Sequence, residues 1–297
     1  MVQSDGRSDV ERMVSELMRK HKQEGSVEDW LEGVQDEWEA VIGGRCEEVS
    51  EEVRDEVLRA GVCMKLRMIL ESKKDGRRKG RLVGQGFWED KGVTGAHIDS
   101  PVASFAAVRM LLFMSGEVGE EQTVIASGDI SKAFLKADEY PEGSEPRYVR
   151  FRMYKGGPEH VWRLKGPLYG SRDSPQKWFE SFARFMDAVQ HMIEEGFEFE
   201  GEWHDGAGVQ QLVNKYVQGE DEPCVFVNTT TGMRVVVFVD DIISRGTVAE
   251  TEKFYAAVQG RYPMRTWSIL SPGHPLEHLG FTVTEEVEGD ETYRYLS

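Results

Sequence analysis

The chain has 297 residues, a formal net charge of −17, and 39% hydrophobic and 30% charged side chains. That is long enough to bury a real core and reads as a soluble, globular chain of one large domain or two modest ones. No stretch approaches the roughly 18 apolar residues of a membrane span, the opening MVQSDGRSDVERM lacks the apolar run of a secretory signal, and Cys46, Cys63 and Cys224 are too scattered for a disulfide framework or a zinc site. The expectation is an intracellular protein, cytoplasmic or nuclear, not secreted, with reduced cysteines and no membrane partner.

The negative charge is unevenly spread. Residues 1–60 carry a balance of −9 and residues 189–223 a balance of −8, whereas residues 65–81 carry +6. A polyanionic ligand responds to such a local basic footprint rather than to the total.

In chain order, residues 1–60 read as an acidic N-terminal extension, helical or partly disordered, with helix-like stretches at 10–22 and 27–41. CMKLRMIL (63–70) alternates like a half-buried strand, Asp75–Gly76 signals a hairpin turn, and RLVGQGF is the return strand. The result is a basic β-hairpin with six cations between Lys73 and Arg81. Residues 105–114 predict a short apolar helix, TVIAS (123–127) a buried strand running into Asp129, and 175–189 a helix with Trp178, Phe179, Phe182, Phe185 and Met186 at helical spacing. Residues 223–227 and 233–239 predict two strands, with Asp240–Asp241 at the turn into a further strand. A helix at 252–259 and a strand at 279–284 complete an α+β pattern.

Two elements carry chemistry. Asp129 ends one apolar strand and Asp240–Asp241 ends another, and a carboxylate abutting such strands costs free energy unless it is paired or liganded. An isolated Asp-Asp pair is most often a surface turn. The VVVF run before it, and a second strand–Asp element 111 positions earlier, weigh toward a metal site. Three converging carboxylates repel one another, and divalent cations remove that repulsion. Few, hard oxygen ligands suit Mg²⁺, and two such ions about 4 Å apart can activate a hydroxyl and stabilise a leaving pyrophosphate.

Seven segments, in order over about residues 62–284, resemble the reverse transcriptase domain of copia-type LTR retrotransposons. They are KGRLVGQGF (79–87), SPVASFAAVRMLL (100–112), SGDISKAFL (127–135), VWRLKGPLYGSRDSPQKWF (161–179), DEPCVF (221–226), FVDDII (238–243) and LEHLGFTV (276–283). The resemblance implies a polymerase palm-and-fingers core at 61–297: an antiparallel palm sheet backed by helices, with a basic fingers hairpin. It implies an RNA-directed DNA polymerase, a nucleotidyltransferase that adds deoxynucleotides to a primer 3′-hydroxyl on an RNA or DNA template. Two Mg²⁺ ions, with Mn²⁺ as a substitute, would be held by Asp129, Asp240 and Asp241 with the Ile130 carbonyl. Asp129 and Asp240 would bridge the ions.

By the same resemblance, Lys79, Arg81, Phe134, Tyr169 and Gly170 would bind the deoxynucleoside triphosphate, Phe134 as the ring under its sugar. Lys73, Lys74, Arg77 and Arg78 would meet template phosphates through salt-dependent contacts. Phe238, Leu279 and Gly280 would position the primer. Trp178 also matches the family pattern and reads as helix core.

Departures accompany the match. Phe238 stands in place of a tyrosine, Asp173 in place of a glutamine, and Gly84–Gln85 in place of an Ala-Arg pair, while 201–220 reads as an acidic insertion. No thumb or RNase H segment is recognisable, so the chain reads as a polyprotein fragment, with integrase and RNase H as partners, or as a diverged copy. The alternatives are a decayed or domesticated copy that binds nucleic acid or protein, and a metal-dependent nuclease or cyclase on a similar palm.

Overall fold

The computed structural model describes residues 8–73, 75–88, 99–114, 117–118, 121–195, 197–199, 202–204, 216–289 and 291–297. Lys74 and most of the acidic insertion lie outside them. Two units emerge, one from residues 1–99 and 137–177 and the other from 100–136 and 178–297. Among the described residues no helix is long and apolar enough to cross a membrane.

The first unit is built on a five-stranded sheet with the order Cys46–Glu48, His160–Leu164, Tyr148–Phe151, Cys63–Ser72, Arg78–Gly84. Its pairs are antiparallel except for Cys63–Ser72 with Tyr148–Phe151. Helix α1, Asp9–His21, starts at a capping box in which Ser8 and Glu11 satisfy each other's backbone N–H groups. Helix α2, Glu28–Trp38, lies so close to the last strand that a Cβ on Gly33 would stand 2.4 Å from the Arg78 carbonyl oxygen. Trp30 and Val34 are fully buried there, and the buried Glu37 carboxylate accepts the Leu82 N–H at 3.1 Å. Helix α3, Glu51–Ala60, is capped by Ser50 and ends at Gly61 in a left-handed conformation.

The second unit holds a six-stranded antiparallel sheet, ordered Tyr216–Gln218, Val225–Asn228, Arg234–Phe238, Asp241–Gly246, Val124–Ile130, Met264–Ile269. Ile125, Val236 and Ile243 pack with Val108 and Leu112 of helix α4, Phe105–Phe113. Alternate positions meet helix α6, Val248–Arg261, whose Tyr255 hydroxyl donates to the Ala126 carbonyl at 3.1 Å. The sheet is thus covered on both faces, so its central strands are buried at successive positions rather than at alternating ones. Helix α5, Ser174–Glu195, contributes Trp178, Phe182 and Phe185 to an aromatic cluster with Tyr262. A three-stranded sheet, Leu276–His278, Phe281–Glu288 and Glu291–Leu296, follows.

The α+β class read from the sequence holds. Two boundaries move. Val239 was expected inside a strand, but the strand ends at Phe238 and Val239–Asp240 form the turn. Leu279 was expected to open a strand, but Leu279 and Gly280, with φ of 51° and 81°, are the two-residue turn between His278 and Phe281. Both central residues with positive φ make the tight turn that matches strand twist.

Candidate active site

The acidic residues come together through strand register. Asp129, next to the end of Val124–Ile130, is the direct antiparallel partner of Asp241, the first residue of the neighbouring strand. Directly opposed side chains on such strands share a face, with Cβ atoms about 4.5–5.5 Å apart, and like charges there destabilise. Asp129 and Asp241 are half-buried, and Asp240 is exposed on the adjoining turn. Burial first, then the negative charges of Asp240 and Asp129, push the Asp241 carboxyl up to about 6.

The turn that carries Asp240 is conformationally costly. Val239 has φ of 57°, a left-handed backbone that a β-branched residue rarely adopts. Such strain, of order 1–3 kcal/mol, persists where the surroundings impose it. Here the Trp178 indole Nε1–H donates to the Val239 carbonyl at 2.6 Å, and the Ile130 N–H donates to the Asp240 carbonyl at 2.8 Å. The turn is therefore pinned from a helix on one side and from the strand of Asp129 on the other. Trp178, read from sequence as helix core, is buried as expected and also fastens the acidic turn. The available signal was its indole N–H, a donor that needs a partner once buried.

On the same strand face, the Ser127 hydroxyl lies 3.1 Å from His278 Nδ1. His278 is buried, and burial lowers its imidazole to about 4, so it is neutral at ordinary pH. It immediately precedes the Leu279–Gly280 turn. Leu279 and Phe238 pack against one apolar cluster, so two of the three expected primer-positioning residues lie together on the face that carries the acids. Phe134 sits in a 3₁₀ turn, Ala133–Lys136, beyond Asp129 and is half-buried. Ile130 is fully buried.

The remaining expected site residues belong to the first unit. Ser72 pairs with Arg78 and Glu71 with Lys79, closing the basic hairpin. Its cations are partly engaged: Lys73 and Arg81 both pair with Glu71, at 2.9 and 3.0 Å, and Arg77 pairs with Asp75 at 2.5 Å. Arg78 lies 5.2 Å from the Trp30 ring centre and donates to the Ser72 hydroxyl. Lys79 is half-buried. Tyr169 and Gly170 are zipped to the end of the hairpin's return strand and the turn after it, with the Gly84 N–H donating to the Tyr169 carbonyl at 2.6 Å and the Gly86 N–H to that of Gly170 at 3.1 Å. Gly170 has φ of 83°, and a Cβ there would stand 2.1 Å from the Gly84 carbonyl oxygen. The Gly84 backbone thus fills the space beside this glycine. A Cβ on Gly84 would meet the flexible end of the Met64 side chain at 2.6 Å. Asp173, the residue in place of glutamine, is buried and pairs with Arg147 at 2.6 Å, which sequence alone did not foretell.

Among the described residues no three His, Cys, Asp or Glu side chains form a group that could hold a metal ion by itself. The donor set still suits a hard divalent cation. It consists of carboxylates only, it repels itself, and Mg²⁺ is commonly held by one or two protein carboxylates with waters and substrate phosphates completing the shell.

The sequence pattern of the family described as Reverse transcriptase (RNA-dependent DNA polymerase) matches residues 63–291. The Retrovirus-related Pol polyprotein from transposon TNT 1-94 of Nicotiana tabacum is 30% identical over 142 residues, covering 43% of this chain and 10% of that polyprotein. Its counterpart from transposon RE2 of Arabidopsis thaliana is 28% identical over 116 residues, 38% of this chain and 8% of the polyprotein. The chain spans about a tenth of these relatives' length. Among solved structures, a foamy viral protease-reverse transcriptase in complex with double-stranded DNA aligns with 79% of this chain and 33% of its own, at 18% identity and a TM-score of 0.35. Telomerase from Candida albicans, in complex with a fragment of telomeric RNA, aligns with 84% of this chain and 48% of its own, at 8% identity and a TM-score of 0.45. On the match across residues 63–291, the chain belongs to the reverse transcriptase (RNA-dependent DNA polymerase) family.

Proposed function

We propose that residues 61–297 form the fingers and palm of an RNA-directed DNA polymerase of a copia-type element, with residues 1–60 as an N-terminal extension. The observation that carries this reading is the register that sets Asp129 opposite Asp241, beside an exposed Asp240 on a pinned turn.

In the reaction, a primer 3′-hydroxyl attacks the α-phosphate of a deoxynucleoside triphosphate, and pyrophosphate leaves. Asp129 and Asp240, with Asp241 and the Ile130 carbonyl in support, would hold two Mg²⁺ ions or Mn²⁺ in their place. Bound there, the metals supply charge neutralisation for the hydroxyl and the phosphates. The chain's own contribution is positioning and preorganised charge. Phe238, Leu279 and Gly280 align the primer, and Phe134 fills the space under the incoming sugar and disfavours a 2′-hydroxyl. Lys79 and Arg81 draw the triphosphate through charge-assisted contacts, next to Tyr169 and Gly170. Lys73, Lys74, Arg77 and Arg78 track template phosphates. The setting is intracellular, with the integrase and RNase H portions of a polyprotein as partners.

Primer extension on an RNA template with Mg²⁺ tests the proposal. The wild type extends, and Asp240→Asn loses at least about 10²–10³-fold in rate, the scale of removing one preorganised electrostatic group. Absence of extension by the wild type points instead to a decayed or domesticated binding copy. Nucleotide turnover without a primer points to a nuclease or cyclase.

A further inference from the structure

The first unit carries a second basic feature, outside both the hairpin and the acidic site. A groove of about 660 Å³ runs between helix α1 and the residues that follow the Tyr148–Phe151 strand. Its apolar lining is Met13, Leu17, Met153 and Tyr154, and its cations are Arg19, Lys20, Arg152 and Lys155. Among the described residues Glu16 is the single acid on the wall, and its carboxylate already accepts the Lys155 backbone N–H at 3.1 Å. Arg152 shares Glu159 with Arg150, at 2.8 and 3.5 Å, so one carboxylate faces two guanidinium groups. The Arg12 guanidinium stands 5.5 Å from the Tyr154 ring centre, and a Cβ on Gly157 would meet that ring at 2.9 Å.

Cations in the last turn of α1 are explained in part by its dipole. That does not account for Arg152 and Lys155, which come from a different element and converge on the same groove. In a chain of net charge −17, a cationic concavity is where a polyanion gathers. A bare anion needs only the charges. An aromatic and thioether lining inside a cationic rim fits a ligand with flat apolar faces strung on phosphates.

We infer that this groove binds a single-stranded stretch of nucleic acid, with the phosphates on Lys20, Arg152 and Lys155 and a base against Tyr154. The inference rests on the polymerase reading for the identity of the polymer. It also extends that reading, since α1 lies outside the family match at 63–291.

The test is fluorescence anisotropy of a labelled 12-nucleotide oligouridylate with the full chain across a salt series. Lys20→Glu/Lys155→Glu is compared with the wild type and with Lys253→Glu, an exposed lysine of α6. The groove variant is expected to bind about tenfold more weakly, with a log–log salt slope shallower by about 1.4 for two lost phosphate contacts. Tyr154→Leu is expected to weaken binding without changing the slope. Binding by the groove variant within twofold of the Lys253→Glu protein overturns the site. Competition by inorganic polyphosphate equal to that of the oligonucleotide, with Tyr154→Leu silent, overturns the nucleic-acid assignment. Circular dichroism confirms that each variant is folded. A wild type that binds through the groove but fails to extend a primer would refute the polymerase reading and leave the groove standing.

Discussion

The acidic turn of the second unit and the basic surfaces of the first carry opposite charge and are held by opposite means. Asp129 and Asp241 are placed by backbone register between two apolar strands, and Asp240 by a turn whose two carbonyls are each claimed by a donor. Their mutual repulsion is built in. The cations of the hairpin and of the α1 groove sit on long side chains at loop tips and a helix end, and many already have local acid partners. A centre that must fix reacting atoms tolerates electrostatic strain for precision. A surface that follows a flexible polyanion gains more from adjustable, solvated charge.

Removing charge from the acidic side should have the largest effect. Asp129→Asn and Asp241→Asn should each lower primer extension by about 10²–10³-fold. They should also raise the melting temperature at pH 7 without divalent cation, since each deletes a like-charge contact. The native value of the Asp241 carboxyl, about 6, lies above the unfolded value near 3.8, so the native state retains a proton that the unfolded state has released. Stability therefore declines as pH rises from about 4 to 6 and stays level above that. An Asp241→Asn protein that melts below the wild type at pH 7 contradicts the strain argument.

Next in size is a structural break in the first unit. Gly170→Ala places a methyl against the Gly84 carbonyl in a left-handed backbone, and should cost about 2–4 kcal/mol in urea denaturation. A loss below about 0.5 kcal/mol, within the range of neutral surface changes, shows that the zipped segment relaxes freely.

A buried histidine gives a smaller, pH-dependent effect. His278 titrates lower in the native state, about 4, than its ordinary 6.5, so its contribution is complete above pH 6.5 and is lost as pH falls toward 4. His278→Gln keeps a partner for Ser127 and should flatten that acid limb by roughly 1–3 kcal/mol. An unchanged limb assigns the acid sensitivity elsewhere.

The smallest effect is expected at Trp178. Trp178→Phe keeps most of the ring packing and deletes one hydrogen bond worth about 1 kcal/mol, so kcat should fall about fivefold with KM for nucleotide unchanged. Amide exchange at Ile130, whose N–H holds the Asp240 carbonyl, should quicken in the same variant. Exchange and kcat both at wild-type levels would show that the indole only fills space.

Much of this was legible beforehand because it is local. The VVVF run, the Asp-Asp pair, the alternating CMKLRMIL and the Asp75–Gly76 turn each announce an element within a few residues. What escaped is long-range or hidden in one dihedral. Nothing near Val239 marks it as left-handed, because glycine or asparagine would ordinarily signal that state. Arg147 with Asp173, Ser127 with His278, and Trp178 with the Val239 carbonyl are separated by 26, 151 and 61 positions, and no periodicity reports on such pairs. The α1 groove was missed for the same reason: its cations come from residues 19–20 and 152–155, and residues 1–60 taken as a whole are acidic.

By itself, then, the amino-acid order determined which segments are apolar enough to become the central strands and which carboxylates end up beside them, because hydrophobic patterning and turn chemistry act over short spans. The tertiary structure alone decided which acids face each other. Strand side chains alternate with a period of two, so a slip of one residue between Val124–Ile130 and Asp241–Gly246 would have turned Asp241 to the opposite face, and only packing against α4 and α6 selects the register that sets it against Asp129.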